Sequence, residues 1–100
     1  MYSVHVTDEF QRWLDRVRDR RARMRIALRL SYAESGNLGD RKPVGGCVSE
    51  MRVDTGAGYR LYFMRHGRFV VVMLGGGDKA TQSRDIARAQ KLATEWEFRA

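Results

Sequence analysis

The stretch VSEMRVDTGAGYRLYF, Val48 to Phe63, decides the fold. Its first half alternates in character, as a strand does, and the alternating segment extends back to Cys47. Met51 and Val53 are expected to point inward, and Glu50 and Arg52 outward. A glycine-containing break follows, then a second strand-like run, Tyr59 to Met64, so the stretch reads as an antiparallel hairpin. If its loop centres on Gly56, Arg52 lies opposite Arg60 and Glu50 opposite Tyr62. Like charges directly opposed across a sheet repel. An anion such as a phosphate would resolve the repulsion; splaying into water, or pairing with Glu50 and Asp54, would do so without one.

Working outward, His66-Gly67 signals a second tight turn and Arg68 to Leu74 a third strand. The segment Phe69 to Leu74 is apolar on both faces, which suits a strand buried inside a sheet. Upstream, Tyr2, Val4 and Val6 alternate with Ser3 and His5 as a short first strand. Thr7-Asp8 is an N-cap signal, followed by Phe10, Trp13, Leu14 and Val17 at helical spacing. Asp19 caps a second helix whose inward face is Ala22, Ile26, Leu30 and Ala33, and Gly36-Asn37 ends it. A helical hairpin over 8 to 35 is expected. The segment Asn37 to Gly46, holding the chain's one proline, reads as a linker. Ile86, Ala89, Ala93 and Trp96 stripe a C-terminal helix, the least constrained element. The order is β-α-α-β-β-β-α: an α+β fold, one domain over 1–100, with a twisted, mostly antiparallel sheet and the helical hairpin on one face.

Composition narrows the function. Nineteen Lys+Arg against twelve Asp+Glu give a net charge of +7 on 100 residues, and most of the cations are arginine. The guanidinium fork suits phosphate and carboxylate, so the expected partner is anionic: nucleic acid, ribonucleoprotein or an acidic protein. No apolar run is long enough to span a bilayer. The N-terminus lacks a secretory pattern, and the single Cys47 permits no intrachain disulfide, which together fit a cytoplasmic protein. With two histidines, neither a metal nor another cofactor is indicated. His5 and His66 read as structural, and Cys47 as a packed residue.

Two further segments carry candidate chemistry. In LGGGDKATQSRDIARAQ, Leu74 to Gln90, three glycines end the third strand and would let a ligand approach the backbone. Asp78 and Lys79 emerge there, with Thr81, Gln82 and Ser83 as caps or donors. The competing reading is an ordinary turn with Asp78 as N-cap and Lys79 in water; the spacing is not that of a phosphate-binding P-loop. In the second helix Arg21, Arg25 and Arg29 fall at i, i+4 and i+8, forming one exposed stripe. It reads either as a solvated face or, with Gln82, as a contact for RNA, ribosome or an acidic partner.

Taken together, FQRWLDRVRDRRARMRI, GNLGDRKPVGG, VSEMRVDTGAGYRLYF and GGDKATQSRDIARAQKLA resemble the addiction-module killer proteins, a HigB-type branch of the RelE/ParE toxin superfamily. The resemblance runs from Phe10 to Trp96. It implies a RelE-like fold and a type II toxin paired with a small helix-turn-helix antitoxin, which neutralises the toxin and binds operator DNA. RelE- and HigB-like toxins inhibit translation by cutting mRNA in the ribosomal A site, without a metal. ParE-like relatives instead inhibit DNA gyrase, and a non-enzymatic binding module is a further alternative. Residue by residue, the resemblance gives Arg60 the scissile phosphate and places Arg52 near a second basic sheet position. Lys79 would be a proton donor or further stabiliser, and Glu50 or Asp78 the base. The chain departs from the family in lacking a clear equivalent of the Tyr or His that several nucleases carry after the last strand.

Overall fold

The computed structural model describes residues 2–68 and 70–99, and the side chains of 97–99 lie outside that description. Phe69, the first residue of the apolar run, falls outside it as well. Five strands form one sheet: β1 (Ser3–Val6), β2 (Arg41–Gly45), β3 (Val48–Val53), β4 (Tyr59–His66) and β5 (Val70–Gly77). The spatial order is β1-β5-β4-β3-β2. β1 runs parallel to β5, and the other neighbours are antiparallel. Helices α1 (Asp8–Arg16) and α2 (Arg20–Glu34) form the expected hairpin. After β5 a short 3-10 turn (Lys79–Thr81) leads into α3 (Gln82–Arg99). Among the described residues no helix is long and apolar enough to cross a membrane.

Strand alternation sorts the core into two layers. On one face Met51, Val53, Leu61, Phe63, Val71 and Met73 meet Phe10, Ile26 and Ala33 of the helical hairpin. On the other, Val48, Tyr62, Met64, Val72 and Leu74 meet Ala89 and Ala93 of α3. α3 is therefore not the loosest element: it covers β3, β4 and β5. Trp96 extends its contact to the sheet rim, where its ring sits 5.7 Å from His5 and 4.9 Å from His66. Burial of Val71 to Leu74 on both faces bears out the reading of β5 as an interior strand.

Side-chain caps fix how the elements meet. Thr7 Oγ1 accepts from Phe10 N at 3.2 Å to start α1 and donates to Met73 O at 2.7 Å, which ties that start to β5. Asp19 Oδ1 accepts from Arg21 N and Ala22 N to start α2, and Arg23 donates to Leu14 O and Val17 O at the end of α1.

The expected linker is corrected, because Arg41 to Gly45 is a strand. Pro43 cannot donate to a ladder, but β2 is the last strand of the sheet and its outer edge has no ladder to supply. A register shift between Pro43 and Gly45 absorbs the irregularity. Gly45 (φ 117°) and Gly46 (φ 60°) then turn the chain into β3 through backbone angles that disfavour a β-carbon. Gln90 of α3 holds the strand by donating to Val44 O at 3.3 Å.

The arginine stripe is also corrected. Arg21 and Arg25 are exposed, whereas Arg29 is half-buried. Its guanidinium donates to the carbonyls of Arg52, Leu38 (3.0 Å) and Asp40 (3.0 Å), joining α2 to the stretch between α2 and β2 and to β3. Burial lowers its pKa, with Asp40 partly opposing the shift. We expect Arg29→Ala to cost about 1.5–3 kcal/mol, because three carbonyls lose a charged donor. Arg25→Ala should stay within about 0.5 kcal/mol of wild type. Urea unfolding of the two variants checks this, and equal effects would mean that Arg29 is no clamp.

Candidate functional site

The hairpin register is the one expected from the sequence: Arg52 opposes Arg60, and Glu50 opposes Tyr62. The two arginines are resolved differently. Arg52 is 42% exposed and pairs with Asp40 at 2.9 Å, a partner on the approach to β2 rather than the expected Glu50 or Asp54. That hydrogen bond is the main reason the Asp40 carboxyl is held below its usual range and the Arg52 guanidinium above its own. Arg29 sets the geometry from behind by bonding the carbonyls of both residues.

Arg60 is half-buried and lies between Arg52 on β3 and Gly77 on β5. It has no carboxylate partner within ion-pair distance among the described residues, and its Nε is buried without a hydrogen-bond acceptor. The guanidinium charge is thus not balanced by any carboxylate among the described residues, and its buried N–H is left unsatisfied.

Glu50 points away from the hairpin helices as expected, but not into water. It is fully buried, with Gln82 at the start of α3 among its neighbours. Its Oε1 accepts from Gln82 Nε2 at 3.0 Å, and its Oε2 lies 3.7 Å from Lys42 Nζ without a hydrogen bond. Gln82 is thereby committed to the sheet and is not a free contact residue. Opposite Glu50, the Tyr62 hydroxyl is buried and unpartnered. Burial first, and the carboxylates of Glu50 and Asp85 next, push its pKa well above the usual tyrosine range.

At the end of β5 the plain reading of the glycine segment holds. Asp78 Oδ1 accepts from Ala80 N at 2.9 Å and Thr81 N at 3.2 Å, so it is an N-cap. Lys79 is exposed, with its Cβ side facing Gly58 of the β3–β4 loop. The glycines admit protein as well as solvent: a β-carbon at Gly76 would collide with the Trp13 indole, and one at Gly77 with the Asp85 carboxylate. Close approach of a ligand is thereby corrected to close approach of α1 and α3, and only Gly75 faces open space. Asp85 also accepts from Thr81 Oγ1.

The remaining assignments divide. Arg21 and Arg25 lie on the hairpin side, away from Arg60's face of the sheet. Cys47 is exposed rather than packed, with its Sγ 3.8 Å from Met64 Sδ. Asp40, Lys42 and Asp85 were not singled out from the sequence. Asp40 and Lys42 lie in the segment read as a linker, and no local pattern marks a carboxylate that meets its arginine from a neighbouring strand.

Fold and site define an α+β protein with a five-stranded, mostly antiparallel sheet, three helices and, on the central strand, an arginine without an ion-pair partner among the described residues, beside Glu50, Gln82 and Tyr62. The chain belongs to one family with an uncharacterized protein of Haemophilus influenzae, to which it is 39% identical over 93 residues, spanning 93% of this chain and 94% of the relative. No family model matches the chain, and no solved structure matches it.

The Tyr62 environment generates a test with a defined sign. The fold holds the neutral phenol, so the unfolded chain releases that proton first as pH rises through about 10. Ionisation of Tyr62 therefore leaves stability unchanged below that pH and lowers it above, at up to about 1.4 kcal/mol per pH unit. Tyr62→Phe should remove this part of the alkaline loss. It should also raise stability at pH 7 by about 1 kcal/mol, since an unpartnered buried hydroxyl disappears. Chemical unfolding of both proteins between about pH 7 and 11.5 reads both effects; a marked loss at pH 7 would show that the hydroxyl is satisfied.

Proposed function

We propose that this protein is the toxin of a type II toxin–antitoxin pair, a HigB-type member of the RelE/ParE superfamily that cuts mRNA on the ribosome in the cytoplasm. A small helix-turn-helix antitoxin neutralises it and carries the complex to operator DNA. The observation that supports this reading most is Arg60: a half-buried guanidinium on the central strand with no counter-carboxylate among the described residues, flanked by Arg52. The resemblance gives these two positions to the scissile phosphate. A five-stranded sheet with a helical hairpin on one face and a last helix on the other is compatible with the RelE-like fold the reading requires.

In this mechanism the ribose 2′-OH attacks the adjacent phosphate in line. The phosphate–5′-oxygen bond breaks, leaving a 2′,3′-cyclic phosphate and a 5′-hydroxyl. Arg60, helped by Arg52, stabilises charge on the phosphoryl oxygens. Lys79, exposed beyond the end of β5, is the proton donor to the leaving 5′-oxygen. Glu50 is fully buried and Asp78 caps the turn, so neither suits the base role that the resemblance suggested. Removal of the 2′-OH proton, and alignment of the codon, fall to the ribosomal site.

Arg60→Ala should slow cleavage ~10²–10³-fold, about 2.7–4 kcal/mol by analogy with loss of an oxyanion donor. Arg60→Lys should recover only part, since an ammonium lacks the planar fork. Growth arrest and primer extension on cellular mRNA after induction measure both, with soluble yield as the folding control. Full toxicity from well-expressed Arg60→Ala would remove this sheet from the chemistry. DNA damage with intact mRNA would point to the gyrase-type reading instead.

A further inference from the structure

The sheet has an interrupted edge. β1 pairs with β5 only from Val70 to Met73, after which Thr7 N bonds Met73 O and the chain leaves the sheet to begin α1. Gly75 to Gly77 continue β5 and pair with β4 on one side; among the described strands nothing pairs with their other side. That side opens into a cavity of about 470 Å³ between α1 and α3. Its apolar surface includes Trp13, Leu74 and Leu92, and four arginines line it: Arg12 and Arg16 from α1, Arg84 and Arg88 from α3.

The charges are not balanced locally. Arg12 meets Glu9 at 3.3 Å, whereas Arg16, Arg84 and Arg88 have no ion-pair partner among the described residues. Three acids also line the cavity, Glu9 paired with Arg12, Asp78 as N-cap and Asp85 accepting from Thr81, so the arginines exceed the carboxylates by one.

We infer that this cleft takes an extended acidic peptide segment of a partner protein, which adds to the sheet as a short strand in line with β1, against Gly75–Gly77. Three features select this occupant. An unpaired strand edge is a template for main-chain hydrogen bonds. Edge protection is present on β2, which carries Pro43, Arg41 and Lys42, but glycines give this edge no blocking side chain. The side chains of an added strand alternate between the two faces of the sheet. α1 lies over one face at Gly76, through Trp13, and α3 over the other at Gly77, through Asp85. Successive carboxylates of one strand would therefore reach the α1 arginines and the α3 arginines in turn. Three residues of edge are about 10 Å long, so the contact is short and depends on these charges. The inference does not rest on the nuclease reading, since it uses neither Arg60 nor the ribosome.

The test uses the purified full chain and a fluorescein-labelled octapeptide of alternating Glu-Glu and Thr-Thr pairs. Anisotropy should show saturable binding, and hydrogen exchange should show protection within Gly75–Gly77. The same peptide N-methylated at alternate residues keeps its charge and loses its ladder, and should bind about tenfold or more weakly. The double variant Arg84→Glu, Arg88→Glu, both exposed on α3, should weaken binding by a similar or larger factor with an unchanged melting temperature. Absence of binding to the wild type would overturn the inference. So would equal affinity for the N-methylated peptide, or its displacement by inorganic tripolyphosphate without protection of the glycines, which would mark a general anion site. Ribosomal cleavage is not read in any arm, so failure here and failure of the toxin reading stay distinct.

Discussion

Because Val71, Val72, Met73 and Leu74 are all buried, strand β5 must be covered on both faces, and the other layers are arranged around that requirement. A single helical layer would leave two large side chains of the interior strand in water, at about 1.5–3 kcal/mol each. The hairpin of α1 and α2 covers one face and α3 the other. At the end of β5, where the strand has no side chains, both layers press onto the backbone. Trp13 occupies the place of a β-carbon at Gly76, and Asp85 that of a β-carbon at Gly77. The glycines thus close the two layers onto the sheet, and beside them the edge is left open where β1 has ended.

Covering the second face has an electrostatic consequence. β3 and β4 carry polar residues on that face, and the inner ones are buried: Glu50 and Tyr62 are fully enclosed, while Arg52 stays at the rim and Arg60 at the boundary. A buried charge needs hydrogen bonds or a counter-ion to be tolerated. Glu50 has Gln82 and the nearby Lys42. Arg60 has no such acceptor among the described residues, and this asymmetry singles it out: one arginine of the opposed pair is neutralised by Asp40, the other retains its charge and an empty donor.

Arg29 shows how one side chain can serve fold and site together. It was legible in the sequence only as a member of a regularly spaced arginine stripe, and helical geometry alone cannot separate it from Arg21 and Arg25. Its distinction arises because the backbone at Leu38, Asp40 and Arg52 turns three carbonyls toward it. Those bonds hold the Asp40 backbone beside Arg52, so the ion pair at the edge of the site is supported from the helical layer.

The sequence by itself determined the elements whose signals are local. Thr7 and Asp19 as caps, and the apolar stripes of α1 and α2, each follow from residues close together in the chain, as does the register that sets Arg52 against Arg60; the turn expected at His66-Gly67 begins one residue later, because His66 still pairs with Val70 as the end of β4. Only the tertiary structure decided which polar groups are buried, paired or left open. β2 was hidden because Pro43 argues against a strand unless the strand is known to lie at an edge. Glu50 reads as outward from alternation, since nothing in its own strand announces that it will be buried, with a residue some thirty positions later bonded to it. The pairing of Asp40 with Arg52, the solitary state of Arg60, and the convergence of the α1 and α3 arginines on one cleft join residues far apart in sequence. Periodicity reports which face a side chain takes, while its neighbours across space set its charge environment.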